Sequence, residues 1–191
     1  MDSNSSRSKG LLTSFKLDSF IQGQMSRKAS IIKIGRRIMT RKQYMDAVIQ
    51  YAREMIRDDE SPFAAGIVVD NKLFMAGNRC RSTGNPNNHA EIVCINDFCK
   101  ENDPNDLVRA TMYTSCEPCL MCLHSIYNVG IRKIVYGASI DDAISYGSGD
   151  IEIHIKQYVK EMKLDFISIQ QLSRKDAVSV LSECVNYRGE L

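Results

Sequence analysis

Two short motifs decide how this 191-residue sequence is interpreted: His-Ala-Glu at residues 89–91 and Pro-Cys-Leu-Met-Cys at residues 118–122. Together they supply one imidazole, two thiolates and a carboxylate. Imidazole and thiolate groups bind zinc tetrahedrally, and three protein ligands leave a fourth position for water, as in catalytic zinc sites. The motifs therefore predict one zinc ion per chain, held by His89, Cys119 and Cys122, with Glu91 beside it to move protons.

Regular structure is predicted on both sides of these motifs. Each motif lies at the start of a helix, one over residues 89–100 and the other over residues 118–128. An earlier helix begins after Thr40, a suitable N-cap, because apolar residues then recur at helical spacing as far as Ile56. Two later helices are predicted, one near residues 151–162 and one capped by Ser173. The predicted strands are Phe63–Val69, Leu73–Ala76, Ala110–Ser115, Lys133–Tyr136 and Phe166–Ile169.

The order of these elements predicts an α/β protein, a three-layer α/β/α fold around a five-stranded mixed sheet. Residues 1–39 are expected to be a basic, Ser-rich N-terminal extension, and residues 40–191 the folded domain. Charge divides similarly: residues 1–42 carry ten basic and two acidic side chains, a net charge of +8, and the rest of the chain carries −6. A negatively charged body repels a phosphate backbone, which argues against a polynucleotide substrate.

The cysteines indicate a cellular compartment. There are seven, an odd number without the pattern of a disulfide framework. The thiols at residues 119 and 122 must stay reduced to bind zinc, which favours a reducing, cytoplasmic setting. No apolar run approaches the length of a membrane span, so we expect no membrane partner.

Residues 113–122 (Tyr-Thr-Ser-Cys-Glu-Pro-Cys-Leu-Met-Cys) and 88–91 (Asn-His-Ala-Glu) resemble the cytidine deaminase superfamily, whose signature is H-x-E followed by P-C-x-x-C. The resemblance covers roughly residues 40–187 and is greatest to the branch of guanine deaminases and tRNA adenosine deaminases. It implies that residues 40–191 are a zinc-dependent deaminase domain with Glu91 as the catalytic proton shuttle. It also implies a homodimer.

Four further residues are candidates for binding the substrate. Asn78 resembles the family Asn that hydrogen-bonds the base, although an Asn here could equally serve a turn. The backbone N–H of Ala90 could stabilise a developing oxyanion. Asp142 and Asp150 match the two ends of an acidic segment of guanine deaminases. For Asp142, the alternative is a helix N-cap or a solvated loop.

The expected function is hydrolytic deamination of a small aminated heterocycle, with release of ammonia. Guanine, a related purine base or nucleoside, or an aminotriazine is the favoured substrate, which would place the protein in purine metabolism. The alternatives are a tRNA adenosine deaminase, with the basic extension as an RNA arm, and a cytosine or cytidine deaminase. A zinc-binding regulatory subunit is the non-enzymatic alternative.

Overall fold

The structure of the protein, a computed structural model, describes residues 30–32, 39–148, 153–164 and 166–191. Only residues 30–32 and 39 of the predicted extension lie within these ranges, so its boundary at residue 40 stays a prediction. The candidate substrate residue Asp150 also lies outside the described residues.

A single mixed sheet forms the middle of the fold. Its described strands are β1 (Ser30–Ile32), β2 (Ala64–Val69), β3 (Lys72–Gly77), β4 (Thr111–Cys116), β5 (Lys133–Ala138) and β6 (Ser168–Gln171). They lie in the order β1-β3-β2-β4-β5-β6, antiparallel from β1 to β4 and parallel from β4 to β6. The predicted five-stranded mixed sheet is confirmed as β2 to β6. Strand β1, from residues assigned to the extension, adds a short edge strand beside β3.

Helices cover both faces of the sheet. They are α1 (Arg41–Arg57), α2 (Cys80–Thr83), α3 (Ala90–Glu101), α4 (Leu120–Asn128), α5 (Ile140–Ser145), α6 (Ile155–Glu161) and α7 (Arg174–Arg188), with a 3-10 helix at Pro104–Arg109. Helices α1 and α7 share one apolar core with the sheet, and α3, α4 and α6 share a second core on the opposite face. The three-layer α/β/α architecture is therefore confirmed. None of the described helices combines the length and apolar character that a membrane crossing requires.

An antiparallel hairpin of β2 and β3 sets one end of the sheet. Asp70 and Asn71 form its turn with φ of 49° and 59°. Two consecutive residues with positive φ match the twist of paired strands, and Asp and Asn adopt this conformation more readily than most residues. The resulting register pairs Ala64 with Gly77. It therefore brings Asn78, the residue after β3, to the sheet end where β2 begins.

The start of α1 also agrees with its prediction. Thr40 Oγ1 accepts a hydrogen bond from the Gln43 N–H at 3.3 Å, and Gln43 Oε1 accepts one from the Thr40 N–H at 2.8 Å. This reciprocal capping box satisfies two donors that the first turn of a helix leaves unpaired. The buried face of α1 carries the apolar residues predicted from the spacing, including Val48 and Ala52.

Several boundaries differ from the predictions. Helix α4 begins at Leu120, because Cys119 has an extended backbone (φ −67°, ψ 169°) and is the N-cap, which leaves Pro118 outside the helix. Ser173 occupies the N-cap position of α7, but its backbone is left-handed and its side chain makes no capping hydrogen bond. Helix α6 begins at Ile155, four residues later than expected.

Candidate active site

The three predicted zinc ligands lie at the starts of two neighbouring helices. His89 is the N-cap of α3, and Cys119 is the N-cap of α4, with Cys122 one turn further along α4. The backbone is extended at both N-caps, so the side chains of His89 and Cys119 lie in front of the first helical turn and not along the side of the helix. Because α3 and α4 pack on the same face of the sheet, their starts converge and bring the imidazole and the two thiols together.

The distances among these side chains fit a zinc ion. His89 Nδ1 lies 3.7 Å from Cys119 Sγ and 3.6 Å from Cys122 Sγ, and the ligand atoms all lie within 4.8 Å of one another. Standard zinc–nitrogen and zinc–sulfur bond lengths in a tetrahedron place such atoms about 3.5 Å apart. Among the residues that the structure describes, no second group of three such side chains comes this close. The site therefore suits one ion per chain.

Glu91 lies beside this cluster without being one of its members. It is in the first turn of α3, is only 8% exposed, and its Oε2 lies 3.4 Å from Cys122 Sγ. Burial raises the pKa of Glu91 to about 7, despite opposing contributions from its hydrogen bonds and from His89. A carboxyl group with a pKa in this range can both accept and return a proton at neutral pH.

The two thiols of the cluster shift each other's pKa in opposite directions. The hydrogen bond with Cys122 lowers the pKa of Cys119 to about 4, and His89 acts in the same direction. The same shared hydrogen bond raises the pKa of Cys122, as does burial. A coordinated divalent cation deprotonates a thiol outright. The donor set therefore suits a metal that accepts two thiolates and an imidazole.

A pocket of about 350 Å³ opens onto this cluster. His89, Glu91 and Cys119 line it, together with Asn78. Asn78 is 5% exposed, and its Oδ1 accepts a hydrogen bond from the Cys80 N–H at 2.9 Å. Since the oxygen already accepts this hydrogen bond, the Nδ2 group supplies the hydrogen-bond donors of the side chain. The predicted turn role and the predicted binding role of Asn78 are thus compatible.

Of the other candidate substrate-binding residues, Ala90 lies in the pocket wall and Asp142 does not. Ala90 lines the pocket as the first residue of α3, where a backbone N–H has no intrahelical partner. Asp142 is not among the residues that line it. The Asp142 carboxylate instead accepts hydrogen bonds from Ser139 and from Arg174, at 2.8 Å from Ser139 N and 2.6 Å from Arg174 Nη2. Asp142 is therefore the N3 residue of a capping box whose N-cap is Ser139, within a helix, α5, that was not predicted from the sequence.

Some pocket residues were not anticipated from the sequence. Glu117, Cys80 and Leu191 line the pocket, as do Gly147 and Ser148. Of these residues, only Glu117 could have been recognised in the sequence, since it is an acidic residue directly before the Pro-Cys pair of the second motif. The others come from separate segments, and only the tertiary structure brings them together.

Comparison with known proteins agrees with this geometry. A family model described as the cytidine and deoxycytidylate deaminase zinc-binding region matches residues 39–138. The guanine deaminase of Bacillus subtilis is 34% identical over 111 residues, which cover 56% of this chain and 71% of that protein. A tRNA-specific adenosine deaminase of Agrobacterium fabrum is 34% identical over 99 residues, 51% of this chain and 65% of that protein. The chain thus spans about two thirds of these relatives.

Solved structures share the fold. NE0047 in complex with 2,6-diaminopurine has a TM-score of 0.70 and 25% identity, over 81% of this chain and 87% of that one. A structure from studies of tRNA:A34 deaminases has a TM-score of 0.57 and 25% identity, over 73% of this chain and 99% of that one. Since the family model covers just over half of the chain, across both metal motifs, this protein belongs to the cytidine and deoxycytidylate deaminase zinc-binding family, whose zinc-binding region matches residues 39–138.

Proposed function

We propose that the protein deaminates guanine, or a closely related aminated purine base, by hydrolysis. The observation that carries the proposal is the position of Glu91, a buried carboxylate 3.4 Å from Cys122 Sγ at the edge of a three-ligand cluster that opens into a pocket. A structural zinc site is closed by four protein ligands and needs no acid beside it. This arrangement therefore supports catalysis over a regulatory zinc-binding role.

Each residue of the site has a proposed role in that reaction. His89, Cys119 and Cys122 would hold the zinc ion, which when bound supplies an activated water as the nucleophile. Glu91 would accept one proton of this water and pass it to a ring nitrogen, and would then pass the second proton of the water, from the new C–O–H group, to the departing amine. The carbon that carried the amine gains the oxygen, and ammonia leaves. Proton transfers of this kind accelerate reactions by about 10²–10⁴-fold.

The substrate is oriented by groups on the pocket wall. The Asn78 Nδ2 group can donate to a ring nitrogen or a carbonyl oxygen of the base, because its Oδ1 is already held by Cys80 N. The Ala90 N–H can donate to oxygen that develops negative charge at the reacting carbon. Asp150 remains a candidate to accept from the ring N–H and amino groups of guanine.

Three observations favour a small base over tRNA as the substrate. The pocket, about 350 Å³, is at the lower end of the roughly 300–1,000 Å³ range of small-molecule sites. Residues 43–191, which carry a net charge of −6, offer a poor surface for a phosphate backbone. The guanine deaminase of Bacillus subtilis, among the relatives, supports the same choice.

Deamination of tRNA adenosine is the second candidate, because a tRNA-specific adenosine deaminase is equally identical over its matched region. Ammonia release from guanine, guanosine, adenine, cytosine and an aminotriazine, beside inosine formation in an anticodon stem-loop, would separate the two. We expect the protein to release ammonia from guanine only, or from guanine faster than from the other compounds. Activity confined to the stem-loop, and lost on removal of residues 1–29, would support the RNA enzyme and contradict the proposal.

We further propose that the protein acts in the cytoplasm as a homodimer within purine metabolism. Two zinc-binding thiolates favour a reducing compartment, and the family resemblance supports the dimer. Light scattering of the purified protein at several concentrations tests the assembly, and a mass of one chain throughout would exclude it.

A further inference from the structure

One carboxylate in the pocket wall has no part in the proposed chemistry. Glu117 stands two residues before the zinc ligand Cys119, lines the pocket, and has a side chain that is only 1% exposed. A buried carboxylate is costly unless hydrogen-bond donors surround it. The groups that supply those donors therefore indicate what Glu117 does.

The two carboxylate oxygens of Glu117 accept hydrogen bonds from two different helices. Oε1 accepts from the N–H of Ile155, the first residue of α6, at 2.9 Å. Oε2 accepts from the N–H of Ile140, the first residue of α5, at 3.2 Å, and lies 3.3 Å from His154 Nδ1. The first N–H groups of a helix have no partner within it. The Glu117 side chain thus supplies a hydrogen-bond acceptor to the first N–H group of both α5 and α6.

The backbone around Glu117 is tied to the same part of the chain. The Glu117 N–H donates to the Ala138 carbonyl at 2.8 Å, and Cys116 Sγ donates to the Ser139 carbonyl at 3.6 Å. The end of β4 is therefore joined to both ends of the segment from residue 138 to residue 155. That segment includes Gly147 and Ser148, which line the pocket.

We infer that Glu117 is a positioning residue for substrate binding, which sets the pocket wall at residues 147–148 relative to the zinc ligands by anchoring α5 and α6. The inference rests on the proposed deaminase function, because the position of this wall affects turnover only if the substrate occupies the pocket. Glu117 acts through the two helices and does not touch the reacting atoms.

Glu117→Gln is the most informative variant. It preserves size, but only one of its two terminal side-chain atoms can accept a hydrogen bond, so the N–H of Ile140 or of Ile155 loses its partner. For this variant, loaded with zinc, we expect the KM for guanine to rise about tenfold or more and kcat to change less than about threefold. Zinc content should stay that of the wild type.

Two companion variants separate positioning from general destabilisation. Leu181→Ala removes a side chain of α7 that is 2% exposed and does not line the pocket. It should lower the melting temperature by creating a cavity and leave KM unchanged. His154→Ala removes a side chain, 36% exposed, whose Nδ1 lies 3.3 Å from Glu117 Oε2 and whose Nε2 lies 3.2 Å from Asp141 Oδ1, and it should raise KM in the same direction but by less.

Amide hydrogen exchange measures how firmly Glu117 holds the starts of α5 and α6, and it does not depend on catalytic activity. The amides of Ile140 and Ile155 should exchange faster in Glu117→Gln than in the wild type, while a β5 amide such as Ile134 is unchanged. Wild-type protection at both anchor amides would overturn the inference, as would a KM within about twofold of wild type in the folded, zinc-loaded variant. A wild-type protein that deaminates no base would contradict the proposed function instead. In that case the hydrogen-exchange comparison by itself would show whether Glu117 anchors the two helices.

Discussion

At the scale of single residues, Glu91 and Glu101 lie on the same helix in opposite surroundings. Glu91 is buried in the first turn of α3, beside Cys122, whereas Glu101 is exposed at the last residue of that helix. Burial shifts the pKa of Glu91 towards neutrality. The two residues therefore form a matched pair, of which only Glu91 lies beside the ligand cluster.

Replacing Glu91 by Gln should abolish proton transfer while keeping the shape of the site. We expect kcat for ammonia release to fall by about 10²-fold or more, with zinc content unchanged because the ligands are intact. Glu101→Gln is the control and should retain wild-type turnover. Full activity of a zinc-loaded Glu91→Gln protein would remove Glu91 from the mechanism.

The cysteines allow a similar comparison. Cys122 belongs to the ligand cluster, whereas Cys99, a partly buried thiol later in α3, packs against the apolar core beside that helix. We expect Cys122→Ala to bind almost no zinc after dialysis and Cys99→Ala to keep about one ion per chain. Metal analysis of the purified proteins measures both. Equal zinc in the two variants would show that the ion is held elsewhere.

At the scale of elements, α5 depends on Asp142. Its carboxylate accepts from Ser139 N at the start of the helix and pairs with Arg174 of α7, whose side chain is 60% exposed. Loss of a cap costs about 1 kcal/mol, and an exposed ion pair adds about 0–1 kcal/mol. Asp142→Ala should therefore lower the free energy of unfolding by about 1–2 kcal/mol in urea titrations. Asp141→Ala, which keeps the cap and the pair, should cost less.

The contribution of Asp142 should also depend on pH. The hydrogen bond from Arg174, together with those from Ser139, holds the pKa of Asp142 below its usual value of 3.8. A lowered pKa stabilises the folded state fully above the unfolded value, and this stabilisation is lost as pH falls through the folded value. The difference in unfolding free energy between wild type and Asp142→Ala should thus be constant from pH 5 to pH 7 and shrink below about pH 4. A difference that grows on acidification would contradict this account.

At the scale of the whole molecule, Arg188 joins the last helix to the first. Its guanidinium donates to the Glu60 carbonyl at 2.6 Å, to the Met55 carbonyl at 3.3 Å and to the Ile56 carbonyl, at the end of α1. The Arg188 side chain is only 9% exposed. Helix α7 is therefore fixed against α1 by polar contacts as well as by their shared apolar core.

Arg188→Ala should destabilise the whole fold, because hydrogen bonds from a charged donor contribute about 1.5–3 kcal/mol and buried carbonyls would lose their partner. We expect the free energy of unfolding to fall by about 2–3 kcal/mol. Arg188→Lys should recover part of this loss, since an ammonium cannot reproduce the planar donor array. Lys175→Ala, at the exposed start of α7, is the control and should unfold like the wild type.

The sequence predicted those elements whose signals are local. The helix start at Thr40 and the short connection between the strands predicted at residues 63–69 and 73–76 depend only on neighbouring residues, and both appear where expected. Helix α5 was missed because residues 140–145 are few and include two acids that also suit a loop. The left-handed backbone of Ser173 was missed because a Ser at a helix start ordinarily has an extended backbone and caps with its side chain.

The sequence by itself determined the metal chemistry, because ligand type and spacing are properties of residues: one imidazole, two thiolates and an acid at the starts of two helices. Only the tertiary structure decided what surrounds that chemistry. Asp142 joined the capping box of α5 and an ion pair with Arg174 and does not line the pocket, and Glu117 became the acceptor for two helix starts. The reason is physical, since a carboxylate serves whichever donors the packing brings to it, and those donors come from distant parts of the chain.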